Sequence, residues 1–330
     1  MRLSWLSFAV CAALCLPAGA WAVSCTTQSQ MTQADRAMYE QVARTLGQQI
    51  QAGNVAAVRG NTIAAVAARF GPIAATIERT APEIQKATLT VHALYGLKAT
   101  DVAAGSGTTE FFCAVPNSSL VVTITIPQLP PGDYAIAVLH ATGAPSPQQI
   151  TLILQNEPAS SSQWKLAGLY VRPLTETGHD GVWFWKQARQ FAAKKQNWNA
   201  WFYYRTAEFL LNPADFFSSP NLQKLQKETD AVKPADLPGK TPLTLQVNGQ
   251  PLEITAMRAD VFQNSLDLVI DYNAKGVSGP VETRTQIVEL MKALLAKYPE
   301  LRTGFHGLWV YAHYQQGGSF AIELPMEQIQ

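Results

Sequence analysis

The spacing of apolar residues divides the chain into a helical start, a strand-rich middle, an aromatic helical segment and a closing mixture of both. Behind Thr32 and Asp35, which make an acceptable helix start, Tyr39, Val42, Ala43, Leu46 and Ile50 fall on one helical face until Gly53. A second helix is predicted over about 55–70 and a short one over 73–80, with Gly71-Pro72 between them. From Ala87 the period drops to two: Leu89, Val91, Ala93 and Tyr95 alternate with Thr88, Thr90, His92 and Leu94. Further strands are predicted over 109–115, 120–126, 133–141, 149–156 and 163–171. Turn chemistry separates them: the Ala-Gly-Ser-Gly loop near residue 105, Pro130-Pro131-Gly132, Gly143-Ala144-Pro145 and the run Ser160 to Ser162. Helices followed by a meandering antiparallel sheet make an α+β unit.

The pattern changes after residue 172. Two helices are predicted over 181–196 and 199–211, with Pro213 ending the second, and a polar third helix runs from Pro220 to about Val232. Three prolines between Pro234 and Pro242 read as a linker. Leu243, Leu245 and Val247 then alternate up to Asn248-Gly249, a strong hairpin turn, and Leu252, Ile254 and Ala256 alternate on the return. A third strand carries Leu266, Leu268, Ile270 and Tyr272. A helix opened by Pro280 and stopped by Pro299 presents Ile287, Leu290, Met291, Leu294 and Tyr298, and strands over 304–314 and 319–324 follow.

Composition restricts the class of partner. Of 330 residues 47% are hydrophobic and 15% charged, with 25 Lys plus Arg against 24 Asp plus Glu and no basic block, so a nucleic-acid partner is not expected. Residues 1–22 place Arg2 ahead of an apolar run and end in small residues, the layout of a secretory signal. Downstream, nothing approaches the ~18 apolar residues of a spanning helix, so no transmembrane span is expected. Past the signal, Cys25 and Cys113 are the remaining cysteines, and in an oxidising compartment they would form one bridge. Cys25 has a rival use, because Ala22-Val23-Ser24-Cys25 resembles a bacterial lipobox, with Ala where Leu is usual. The expected location is periplasmic or secreted, the alternative an outer-membrane lipoprotein anchored at Cys25.

Candidate chemistry is sparse. None of the five histidines sits in a metal-ligand motif, His306 and His313 being seven apart. Gly-x-Ser-x-Gly, Gly-x-Gly-x-x-Gly and P-loop motifs are missing, so no metal or other cofactor is expected. His140 ends the apolar row Tyr134, Ile136 and Val138, and with Tyr95 and Tyr170 it could line a pocket or simply be a strand-end histidine. Asp180, beside His179, reads as the N-cap of the aromatic helix. Phe305, Trp309, Tyr311 and His313 share a strand face opposite Leu308, Val310 and Ala312. Such a face could grip a glycan or peptide, or be covered by the domain's own helix.

Four of eight tryptophans lie within residues 183–201. Val182, Phe184, Trp185, Ala188, Phe191 and Ala192 make a buried stripe on the first helix; Phe202, Tyr203, Thr206, Ala207, Phe209, Leu210 and Leu211 make one on the second. Trp183 and Trp201 fall on the polar sides and are candidate partner-binding rings, while the hairpin as a whole could equally be interdomain packing.

Two resemblances follow. The segment ITLILQNEPASSSQWKLAGLYVRP and the helix ending in QAGNVAAV resemble the closing hairpin and first helix of bacterial NTF2-like domains, which implies an α+β cone over about 33–172 and no particular activity. FFCAVPN and LPPGDY fit an immunoglobulin-like sandwich equally well. Residues 181–213 resemble a single tetratricopeptide-like hairpin, with Trp185 and Pro213 near that family's early Trp and closing Pro. The expected architecture is therefore α+β: signal 1–22, N-terminal helices packed on an antiparallel sheet over 33–172, helical connector 173–233, linker 234–242 and a small α+β domain over 243–327. The expected function is an exported cell-envelope binding protein without catalytic activity, taking a protein partner or small apolar ligand. The alternative is a small-molecule isomerase or hydrolase with His140 as base in a cone pocket.

Overall fold

The computed structural model describes residues 23–102, 105, 107–157, 163–277 and 279–330. Residues 1–22, the expected signal, and most of the two turns near 105 and 160–162 lie outside the described residues. In chain order the elements begin with β1 (Ser24–Thr27), α1 (Gln33–Gln51), α2 (Val55–Gly60), α3 (Ala64–Ala67) and α4 (Gly71–Ile84). Next come β2 (Thr88–Lys98), β3 (Thr108–Ala114), β4 (Val121–Pro127), β5 (Asp133–Thr142), β6 (Gln148–Glu157) and β7 (Gln163–Pro173). The short pair β8 (Thr175–Glu176) and β9 (His179–Asp180) leads to α5 (Gly181–Ala193), α6 (Asn197–Leu211), β10 (Phe217–Ser218) and α7 (Pro220–Ala231). The last part holds β11 (Leu243–Val247), β12 (Gln250–Phe262), β13 (Ser265–Ala274), α8 (Pro280–Lys297), α9 (Leu301–Gly304), β14 (Gly307–Tyr314) and β15 (Ser319–Pro325). The α+β class expected from the sequence is the class observed. No helix among the described residues is long and apolar enough to cross a membrane.

The N-terminal half is three layers deep. An antiparallel sheet of order β1-β2-β5-β6-β7 has helices on one face, where Leu46, Ile50 and Ile77 pack on Leu94, Ala137, Leu139, Leu152 and Leu154. On its other face Leu97, Tyr134, Ile136 and Val138 meet Phe111, Ile124 and Phe217 from a second sheet of order β10-β4-β3. The helix expected over 55–70 is broken into α2 and α3, because backbone at 61–63 is diverted to the edge of β7. Leu166 N–H donates to Asn61 O at 2.8 Å and Ile63 N–H to Leu166 O at 2.9 Å. Edge backbone groups need partners, and this bridge supplies them.

The C-terminal sheet runs β11-β12-β13-β14-β15. Only β13 and β14 are parallel, joined by the α8 crossover, as a parallel pair requires. Its inner face packs Leu268, Ile270, Tyr272, Leu308 and Val310 against Ile287, Leu290 and Leu294 of α8, and against Trp198, Phe202 and Tyr203 of α6. The aromatic hairpin is thus part of this core. Phe202 meets Phe305 edge-on at 5.7 Å, and the Tyr203 hydroxyl donates to Gly304 O at 2.8 Å. Asn199 donates to Glu300 O at 2.6 Å, and its side chain fills the place where any residue larger than glycine at 304 would put a Cβ. Glu228 of α7 clamps the hairpin from behind, accepting from Trp185 Nε1 at 2.7 Å and from Arg189 at 2.7 and 2.8 Å.

Two expectations are corrected. Phe305 is not on the outer strand face with Trp309; it precedes β14 and is buried in the hairpin core. Val182 and Phe209, expected in buried stripes, are exposed; Phe209 lies under the Arg172 guanidinium at 5.1 Å. Within the 234–242 stretch, Asp236 is held at α8, where the Tyr298 hydroxyl donates to it at 2.6 Å and Lys297 pairs with the same carboxylate. The segment after α6 also crosses to the N-terminal half. Arg172 donates to Asn212 O and pairs with Asp215 at 2.5 Å, and β10 adds to β4.

Cys25 and Cys113 are bonded, which ties β1 of one sheet to β3 of the other. The two cysteines are 88 positions apart, and replacing both by Ser should lower unfolding free energy by about 2–5 kcal/mol, read from urea unfolding with midpoint and slope both fitted because the freed unfolded chain exposes more surface.

Candidate functional site

The outer face of the C-terminal sheet is built by simple alternation. In β13, Leu266, Leu268, Ile270 and Tyr272 point to the helices, so Asp267, Val269, Asp271 and Asn273 point away. Register places Val269 beside Trp309, Asp271 beside Tyr311 and Asn273 beside His313 on β14, and Trp309 beside Glu323 on β15. On the other flank, β12 sets Arg258 opposite Val269 and Asp260 opposite Asp267. The helix α8 lies on the opposite side, against Leu308 and Val310, so the sheet's own helix does not cover Trp309 and Tyr311.

The rings form an ordered row. Trp309 and Tyr311 lie nearly parallel, 13° apart with centroids at 5.7 Å, and Phe262 meets Trp309 edge-on at 4.6 Å. Polar groups border them. Asp271 accepts from Arg258 at 2.6 Å and contacts His313 Nε2 at 2.7 Å, so one carboxylate holds a guanidinium and an imidazole along the aromatic edge. At the other end Asp267 Oδ1 meets His306 Nδ1 at 3.2 Å, with Glu323 beside them. Burial pushes the carboxyl groups of Asp267 and Glu323 above the ordinary range; His306 opposes this at Asp267, whereas the Asp267 charge adds to it at Glu323.

The other sequence candidates lie elsewhere. Tyr95, His140 and Tyr170 do share a sheet face, as alternation requires, but that face is partly covered by the second sheet and the segment after α6, and Tyr170 stays exposed. Tyr95 packs on Phe217 at 5.7 Å and Tyr170 on Phe216 at 5.2 Å. His140 stacks on His92 with centroids 4.0 Å apart and meets Gln149 at 3.2 Å. Burial and then the neighbouring His92 push its imidazole below the ordinary histidine range, against the pull of Gln149. Trp183 is covered on one side by His179, parallel within 6° at 3.8 Å, and Asp180 caps the helix by accepting from Trp183 N–H. Trp201 instead lines a separate cleft of about 440 Å³ with Arg205, Phe209, Arg258, Asp260 and Glu176, so Trp183 and Trp201 have different surroundings.

Sequence reasoning missed Arg258, Asp267, Asp271 and Glu323. The signal for two of them was present: SLDLVIDYNA alternates, and its two acids fall on the face away from the apolar set. Glu176 gave no signal, because its surroundings come from the distant β12. No protein-family model, curated protein or solved structure matches the chain.

The cleft makes a pH-dependent prediction. Burial first, then the Asp260 charge, raise the Glu176 carboxyl to about 7, so the folded chain holds this proton where the unfolded chain has released it. That stabilisation is complete below the ordinary carboxyl value of 4.5 and is lost as pH rises through about 7. Glu176→Gln should therefore melt near the wild-type temperature at pH 5 and above it at pH 8, measured by calorimetry at both values.

Proposed function

We propose that the protein is an exported binding protein of the cell envelope, and that the outer face of its C-terminal sheet takes a carbohydrate. The observation that carries this reading is the parallel Trp309–Tyr311 pair, left open by the sheet's own helix and bordered by the Arg258–Asp271–His313 chain. A sugar ring offers a flat C–H face to aromatic carbon and a rim of hydroxyls to charged hydrogen-bonding groups, and this face supplies both. Rings held in place by strand register lose little freedom on binding, which favours affinity. Export is supported by the signal-like start and by the disulfide, and this reading takes Cys25 as a structural cysteine rather than a lipid attachment point. The NTF2-like reading of 33–172 is kept as a proposal about fold alone, supported by helices packed on one face of an antiparallel sheet.

The test is calorimetric titration with soluble β-1,4-linked N-acetylhexosamine oligosaccharides, the glycan chemistry of bacterial walls. Wild-type protein should bind saturably. Trp309→Ala should weaken binding about 30-fold, the roughly 2 kcal/mol of a central aromatic anchor, while Trp183→Ala leaves it unchanged. Equal binding by wild type and Trp309→Ala, or none by either, would refute the assignment.

A further inference from the structure

The lower end of the same face holds a group of side chains that glycan stacking does not use. Asp267, His306 and Glu323 each offer one donor atom, and these atoms lie within 4.8 Å of one another. They come from β13, from the loop before β14 and from β15, so the fold gathers them over 39 and 56 residues of separation rather than by local spacing.

Two features separate this group from an ordinary cluster of surface acids. First, the Asp267 side chain is 1% exposed, and its Oδ2 has no hydrogen-bond partner among the described residues. Its other oxygen meets His306 Nδ1, and the carboxylate also accepts from Gly307 N–H. Glu323 Oε1 is likewise buried without a partner. Leaving buried carboxylate oxygens unpaired is costly, and two acids side by side add repulsion to desolvation. Second, room is kept for them: a Cβ on residue 307 would come within 2.8 Å of Glu323 Oε1 and 3.3 Å of Asp267 Oδ1. Glycine lets strand β14 start against both carboxylates.

We propose that Asp267, His306 and Glu323 bind a divalent transition-metal ion. Two carboxylate oxygens and one imidazole nitrogen are the mixed hard and borderline donors that suit zinc or manganese. Donors about 2.1 Å from one ion stand at most ~4.2 Å apart, so small rotations bring this set to bonding distance. The ion's two charges offset both carboxylates, which removes the repulsion and occupies the orphaned oxygens together. The His306 side chain is half exposed, so the fourth position faces solvent and would hold water or an oxygen of a bound ligand.

The proposal is tested on full-length protein freed of any affinity tag, stripped with chelator and titrated with zinc chloride, and in a parallel series with manganese chloride. One ion per chain should bind, and a metal concentration about 100 times its Kd should raise the melting temperature by roughly 3–8 °C. His306→Ala and Glu323→Gln should each weaken binding at least about tenfold, whereas His313→Ala and His140→Ala should not. His306 is at the surface, so its variant keeps the test valid if Asp267→Asn fails to fold. Absence of stoichiometric binding by wild type, or binding that survives both ligand substitutions, would overturn the site. A metal-free wild type that Asp267→Asn stabilises, with no metal response, would show instead two acids sharing a proton.

Discussion

The inner face of the C-terminal sheet sets the terms for the rest of the molecule. Five strands spaced about 4.8 Å apart present an apolar surface some 20 Å or more across, and one helix about 10 Å wide covers only half of it. The crossover helix α8 takes one half because a parallel β13–β14 pair needs it there. The other half must be closed by something outside the sheet's own sequence, and α6 does so with Trp198, Phe202 and Tyr203. The aromatic richness of the hairpin is a consequence of that debt of surface. It also explains why the two halves are joined, since the residues immediately after α6 are fixed to β7, β6 and β4 of the N-terminal sheets through Arg172, Thr151 and the β10 pairing.

Much of this was legible in the chain. Period-two alternation located the strands of both halves, and prolines and Asn248-Gly249 marked ends that the structure keeps. What escaped was governed by contacts between distant segments. Residues 61–63 read as helix because their local sequence permits one, and only the edge of β7 diverts their backbone. The β12 strand runs on to Phe262, beyond its expected end near Ala256, because a bulge between Ile254 and Ala256 shifts the alternation by one and breaks the pattern that a periodic reading follows. Phe305 kept the right parity for the outer face, but α9 and the turn at 305–306 change the backbone direction before β14 begins.

The candidate sites show the same division. Trp309, Tyr311 and His313 could be placed on a common face from spacing alone, and the structure keeps them there. Their polar partners could not, because Arg258 and Asp271 approach through cross-strand register. The group of Asp267, His306 and Glu323 is more distant still, and its one local trace is an acid inside the apolar run LDLVI. Tyr95, His140 and Tyr170 make the opposite case: alternation assigned their face correctly, yet each ring is engaged by a different neighbour, Phe217, His92 and Phe216, and they do not meet in one pocket.

The disulfide between β1 and β3 has a consequence for how the chain matures. In the exported form proposed above, without residues 1–22, Cys25 and Cys113 are the two cysteines of the chain, so oxidation has one intramolecular outcome and no wrong pairing to correct. During synthesis Cys25 emerges 88 residues before its partner, and β1 cannot be pinned to the second sheet until that sheet has been delivered. For that form an oxidant alone suffices to make the bond, without an isomerase to sort pairings, and the bond then ties the first strand of one sheet to the other sheet.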